Sequence, residues 1–218
     1  NANVWDSTYS LVADTLFYYS ELDSGSANGG ATLIQEKQTI KGDRIEYKDI
    51  PEVEGVSYAA RGNVTITEEG RIATCGEAIY DREKSNTILK INPEIIDNNQ
   101  TISGSEIYLN YNNELLESLF IPSNAHATHP SKGIRERLEI IEKDTTIFQE
   151  PLEFTDDMTG SIMKGYFVDG KLDSIRLEGM ATTIYHIFED SIYQGKNQSS
   201  GDTITMNFGE NDIEKIFI

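Results

Sequence analysis

The chain has 218 residues, 18 basic and 37 acidic, for a net charge of −19, and charged residues make up 25% of it. A phosphate backbone is held by clustered Lys and Arg that release counterions, so this balance excludes an ordinary nucleic-acid binder. An apolar content of 38% is enough for a core. A chain of this length can bury roughly 70% of the surface its unfolded form exposes, as one large domain or two small ones.

The longest strongly apolar stretches, Leu16 to Tyr19 and Leu119 to Ile121, fall far short of the roughly 18 to 20 residues that span a bilayer, so no transmembrane segment is expected. No basic segment followed by an apolar one precedes Asn1, and a secretory leader is therefore absent or was removed ahead of this numbering. Cys75 is the single cysteine. It excludes an internal disulfide and a cysteine-based zinc cage, and its alternating surroundings suit a half-buried thiol.

Apolar residues recur with a period close to two, and Val, Ile, Thr, Tyr and Phe are abundant, so the chain reads as all-β. In chain order, strands show at Leu33, at Ile40, Ile45 and Tyr47 across a Gly-Asp step, at Val64 and Ile66, and at Ile107 and Leu109. Further strands follow at Leu172, Ile175 and Leu177 and at Ile204, Met206 and Phe208. Turn signals separate them: Asn28-Gly29-Gly30, Glu69-Gly70, Asp97-Asn98-Asn99, Asn112-Asn113, Asp169-Gly170 and Gly209-Glu210-Asn211. Gly and Asx tolerate positive φ there, and the spacing suits consecutive hairpins. Ser131 to Asp144 differs. Ile134, Leu138 and Ile141 fall at i, i+4 and i+7 among Arg, Glu and Lys, which suits a helix, while Leu138, Ile140 and Thr145 to Phe148 suit an extended run. The two readings stay level.

Two signatures recur along the chain. In the first, Gly is followed by an acid or Ser and then by alternating apolar residues: Gly42-Asp43-Arg44-Ile45, Gly76-Glu77-Ala78-Ile79, Gly104-Ser105-Glu106-Ile107 and Gly201-Asp202-Thr203-Ile204, with a looser copy at Gly160-Ser161-Ile162. In the second, Gly or a small residue precedes a Thr-rich strand, at Gly30-Ala31-Thr32-Leu33, Gly62-Asn63-Val64-Thr65, Asn124 to Thr128 and Gly179 to Thr183. Gly at a strand start marks a bulge or a close approach of the neighbouring strand. The expected architecture alternates two strand types, each with one apolar and one polar face. Two stacked or folded-over sheets would enclose an apolar interior about 10 Å across, with open strand edges at both ends.

The order of these motifs resembles the OstA/LptA-like family of periplasmic lipopolysaccharide-transport domains, which includes a soluble bridge protein and the N-terminal domain of the outer-membrane translocon LptD. The resemblance opens at Leu11 to Leu16 and continues through Gly30 to Gln35 and Ile40 to Tyr47. It is most specific in Asp169 to Ala181 and in Ser200 to Phe208. It covers nearly the whole chain and is weakest between Ala127 and Glu150. It implies one domain over 1–218 with an open, V-shaped β-taco or β-jellyroll fold, an interior that holds acyl chains, and a place in the Gram-negative periplasm, free or attached to the outer membrane. The abrupt end at Lys215 to Ile218 suggests a piece of a longer chain.

Enzymatic constellations are thin. His126 and His129 lie three apart, so on a strand they point to opposite faces and would need a loop to share a metal. Acid pairs such as Glu68-Glu69, Asp156-Asp157 and Glu189-Asp190 resemble the carboxylate pairs of glycosidases, but 37 acids produce adjacent pairs by chance. No nucleophile elbow, phosphate loop or calcium loop appears. No catalytic residue, metal or cofactor is assigned.

What remains is the apolar interior, with Leu33, Ile45, Val64, Ile66, Ile79, Ile107, Leu109, Leu177, Ile184, Ile204 and Met206 as candidate groove residues. Burial at about 0.8 kcal/mol per CH₂ would hold acyl chains out of water, and few polar anchors would let them slide. The net charge repels an anionic headgroup, which would stay outside, near Lys132, Arg135 and Arg137. The reading is a non-enzymatic lipid conduit for lipopolysaccharide acyl chains that joins neighbouring transport modules by edge-strand pairing. The alternative is a closed all-β structural or adhesive scaffold.

Overall fold

The computed structural model describes residues 2–5, 7–49, 55–68, 70–97, 99–113, 115–141, 144–209 and 213–218, without the side chains of 139–141, 144–146, 213 and 214. The turn signals at Glu69, Asn98, Glu210 and Asn211 and the start of the last strand at Asp212 lie outside the described residues. The described residues form eighteen strands and no helix. The strands are β1 (Ala2–Trp5), β2 (Tyr9–Ala13), β3 (Thr15–Tyr19), β4 (Ser24–Gln35), β5 (Gln38–Asp49), β6 (Val56–Glu68), β7 (Arg71–Asp81), β8 (Asn86–Lys90) and β9 (Glu94–Asp97). They continue as β10 (Gln100–Ser103), β11 (Glu106–Asn112), β12 (Leu115–Ile121), β13 (Ala125–Ile141), β14 (Asp144–Gly160), β15 (Ile162–Val168), β16 (Lys171–Glu189), β17 (Ile192–Phe208) and β18 (Ile213–Phe217).

The fold is a meander of antiparallel rungs, each bent near its middle, so the sheet folds over into two arms. Arm A contains β1, β2, the second halves of β4 and β6, the first halves of β5 and β7, and then β9, β10, β13 and β14. The second half of β16 and the first half of β17 complete it. Arm B contains β3, the remaining halves, β8, β11, β12, β15 and β18. The register skips at the bends, between Asn28 and Ala31, Lys41 and Arg44, Arg61 and Val64, and Glu178 and Ala181. A skip of this kind is a bulge, which bends and twists a strand.

The two sequence signatures occupy these corners and alternate between them. Strands running from arm B to arm A turn on Gly29-Gly30, Gly62-Asn63, Ile91-Asn92, Asn124 and Gly179-Met180, all at positive φ. Strands running the other way turn on the residue after a small one, Ala13, Gly42, Cys75, Gly104 or Gly160. There the amides of Asp14, Gly76, Ser105 and Ser161 donate to the carbonyls of Gly29, Ile91, Ser123 and Gly179 at 2.8–3.1 Å. A Cβ on Gly62 would meet the Asp43 carboxylate at 2.3 Å, and one on Gly179 the Ser161 hydroxyl at 2.8 Å. Gly stands where the backbone needs φ > 0 and the facing acid or Ser needs the space.

The inward faces of both arms share one apolar core, including Leu11, Leu33, Ile40, Leu89, Ile121 and Met163. Ser131 to Ile141 is strand, which resolves the two level readings: β13 and β14 pair from Ala125↔Gly160 to Ile141↔Asp144. Cross-strand pairing along the whole hairpin outweighs the helical spacing of three apolar residues. β1 pairs only with β2, β3 only with β4 and β18 only with β17 among the described residues. The stack therefore has open edges at both ends.

Candidate functional site

Nine of the groove candidates point inward. Leu33, Val64 and Ile66 do so from arm A, and Ile45, Ile107, Leu109, Leu177, Ile204 and Met206 from arm B, all within the buried core. Ile79 and Ile184 do not. Ala78 and Tyr80 take the inward positions of β7, Thr183 takes that of β16, and both isoleucines are half-buried on the outer side. The cause is a one-residue slip in the repeat. In β5 the inward residues are Gly42 and Ile45, three apart, and in β7 they are Cys75 and Ala78. Gly76 thus matches Asp43 rather than Gly42, and Ile79 turns outward. On β16 Thr183 takes the inward position that Leu33 holds on β4, and Ile184, like Ile34, is the outward residue that follows.

The free tips of the arms meet along a mouth opposite the corners. At one end polar contacts bridge it. The Tyr9 hydroxyl donates to Asp49 at 3.4 Å, the Val56 amide donates to Gln35 Oε1 at 3.1 Å, and Arg82 pairs with Glu36 at 2.6 Å. Gln35 is 3% exposed, and its side-chain carbonyl accepts the buried Val56 amide. Inside this latch the rings of Tyr9 and Tyr47 and of Tyr58 and Tyr80 pack in pairs, 6.0 and 5.4 Å apart.

Midway along the mouth the tips stand apart. A pocket of about 130 Å³ lies between Glu68, Arg71 and Asp97 of arm A and Leu115, Leu116 and Gly170 of arm B. Arg71 donates twice to Asp97 Oδ2, at 3.0 and 3.1 Å. Beneath it a cavity of about 20 Å³ is lined by Tyr58, Ile66, Leu89, Ile95, Leu109 and Tyr111, room for about one water. Burial pushes the Tyr111 phenol up to about 12 and the Tyr58 phenol well above its ordinary value. The Tyr58 hydroxyl has no partner among the described residues. An engineered apolar cavity of about 150 Å³ holds a benzene. The mouth pocket is therefore too small for a long acyl chain unless the arms part.

The histidines do not converge on one site. His126 pairs with Asp157 at 2.8 Å on the outer face, whereas His129 and His186 both approach Asp156, at 3.5 and 2.7 Å. Asp156, 1% exposed, also accepts the His186 amide at 2.8 Å. Burial pushes its carboxyl up, but bonds from His129, His186 and that amide outweigh this and hold it below its ordinary value. No group of three or more metal-ligating side chains occurs among the described residues. Beside Asp156, Phe154 stacks on Tyr193 at 4.5 Å and packs tilted against His186 at 4.6 Å, joining the β13–β14 hairpin to the β16–β17 hairpin. Cys75 is buried, and burial pushes its thiol up to about 11, which leaves it unreactive.

Sequence reasoning missed the latch and the Asp156 junction. Gln35, Glu36 and Arg82 sit at hairpin tips, where polar residues are expected anyway, so nothing local marks them. No helix is long and apolar enough to cross a membrane among the described residues.

No family model matches the chain, and no curated protein matches it. Among solved structures, the chain is similar to LptH, the LptA-homologous periplasmic component of the lipopolysaccharide transport device of Pseudomonas aeruginosa. The identity is 13% and the TM-score 0.45, over 50% of this chain and 79% of that one.

Proposed function

We propose that this chain is a non-enzymatic lipid-conduit module of the Gram-negative periplasm. It would take acyl chains of lipopolysaccharide between its arms and pass them to neighbouring modules that pair on its open strand edges. The observation that carries the reading is the continuity of the apolar interior. Every rung contributes inward residues to one core, and the arms are covalently joined only along the corner line. Parting the latched tips would expose a track without breaking a strand ladder. The order of the corner motifs, which resembles that of OstA/LptA-like domains, supports the choice of lipid. With a net charge of −19, affinity would come from the acyl chains and not from an anionic headgroup.

The tight interior favours a second reading, a closed all-β scaffold with no ligand. Native mass spectrometry of the chain incubated with rough-type lipopolysaccharide separates the two. The conduit reading expects stoichiometric adducts that survive high salt and vanish when the lipid is first stripped of its acyl chains. Absence of adducts above those of an unrelated acidic β-protein would favour the scaffold.

A further inference from the structure

The outer faces of the two arms differ in chemistry. Arm B carries a ladder of ion pairs, Arg44–Glu46, Arg61–Glu77 and Lys164–Glu178 among them. On arm A the outward residues align across successive strands into two rows whose charged members are Lys41 and Glu94, of opposite sign. One row runs Thr32, Lys41, Thr65, Thr74, Glu94. The other runs Ile34, Thr39, Thr67, Ile72, Ile96, Thr101. Ile34, Ile72 and Ile96 are 47, 40 and 38% exposed, and Trp5, beside Ser10 at the start of the second row, is 71% exposed. The surface ends at the His126–Asp157 pair. A protein with so large a net charge has kept this face nearly neutral and β-branched, which is the character of the inner faces of a sheet sandwich.

We propose that this face joins two copies of the chain, sheet on sheet, about a two-fold axis that runs parallel to the strands between β6 and β7. That axis exchanges β6 with β7, β5 with β9 and β4 with β10, and it keeps each row facing itself. It sets Lys41 of one copy opposite Glu94 of the other, twice, and lays Ile72 against Thr67 and Ile96 against Thr39. Neither Lys41 nor Glu94 makes an ion pair with a described residue of its own chain, so each is free to meet the other copy. At a strand spacing of about 4.8 Å the patch is roughly 35 Å long, and two copies bury on the order of 1,000 Å², the lower limit for a specific interface. The dimer is therefore weak and concentration-dependent. It is also closed, unlike assembly through strand edges, which extends without limit.

Sedimentation velocity over a concentration series tests this, with charge reversals that leave the core untouched. The native chain is expected to pass from monomer to dimer and no further through this face. Lys41→Glu and Glu94→Lys are each expected to raise the dimer Kd about tenfold or more, and the double reversal to restore it to within about threefold. Ile72→Lys is expected to abolish the dimer while leaving the far-ultraviolet spectrum unchanged. A chain that stays monomeric at millimolar concentration, or a dimer indifferent to both reversals, overturns the proposal. Assembly that continues beyond the dimer and ignores the reversals would assign association to the strand edges instead.

Discussion

The amide of Gly76 donates to the carbonyl of Ile91 at 2.9 Å, and a Cβ at position 76 would lie 2.7 Å from the Ile91 Cβ. At three other corners the Gly is on the strand running from arm B to arm A, and the facing strand carries the side chain, as in Gly29 with Asp14, Gly62 with Asp43 and Gly179 with Ser161. Here the roles are exchanged. Ile91, at φ 63°, keeps its side chain, and Gly76 yields the space. At these four corners one of the two facing residues lacks a Cβ, whereas at the Ser105–Ser123 corner both carry one and their hydroxyls lie 2.6 Å apart.

This exchange makes a paired stability prediction. Gly76→Ala is expected to lose roughly 1–3 kcal/mol, because the blocking atom is a Cβ that cannot swing away. Ile91→Gly is expected to gain about 1 kcal/mol, since a β-branched residue at positive φ is strained. The double variant should recover most of what Gly76→Ala loses. Urea denaturation midpoints at constant slope would measure all three.

The outward placement of Ile79 and Ile184 is testable beside the inward placement of Leu177 and Ile204. Leu177→Ala and Ile204→Ala remove fully buried side chains and should lose about 2–5 kcal/mol. Ile79→Ala and Ile184→Ala should lose about 1 kcal/mol or less. Comparable losses in all four would contradict the assignment of faces.

Asp156 gives the fold an acid limb. Its carboxyl is held below its ordinary value of 3.8 in the folded chain, so folding favours the ionised form. The stability it contributes is fully present above about pH 4 and is lost as pH falls through the folded pKa. Asp156→Asn should flatten that part of the melting-temperature profile between pH 2 and 5. At neutral pH it should lose roughly 1–3 kcal/mol, the cost of weakening bonds to a buried group.

At the mouth, Gln35→Ala strips the buried Val56 amide of its acceptor and should lose about 1–3 kcal/mol. Glu36→Ala breaks a partly exposed ion pair and should lose about 1 kcal/mol or less. On the conduit reading both should hasten the uptake of a fluorescent lipid, since each removes a contact that bridges the tips. Stopped-flow uptake rates would show this.

Much of this architecture was legible before the structure. Alternation of Leu33, Ile45, Val64 and Ile204 with polar residues gives strands with one apolar face. The signature Gly reads as a strand start with a bulge, whereas the structure sets it at a bend inside a longer strand. The reading failed where local pattern carries two meanings. Ile134, Leu138 and Ile141 suit a helix while Leu138, Ile140 and Thr145 to Phe148 suit a strand, and only the pairing of β13 with β14 decides. Gly76 looks like Gly42 in sequence yet occupies the next position of the corner, because Cys75 fills the small inward site. The latch and the His129–Asp156–His186 junction are long-range polar contacts, and Gln35 and Val56 are 21 residues apart. No periodicity records such pairs.

On the conduit reading the arms part to admit an acyl chain. The most direct measurement tethers them: Glu36→Cys and Arg82→Cys are joined by a short bismaleimide in a Cys75→Ser background, and lipopolysaccharide adducts are counted by native mass spectrometry before and after tethering. The untethered chain is expected to take up lipid and the tethered chain to take up little or none, with the fold unchanged by circular dichroism. Equal uptake by both forms would contradict entry through the mouth.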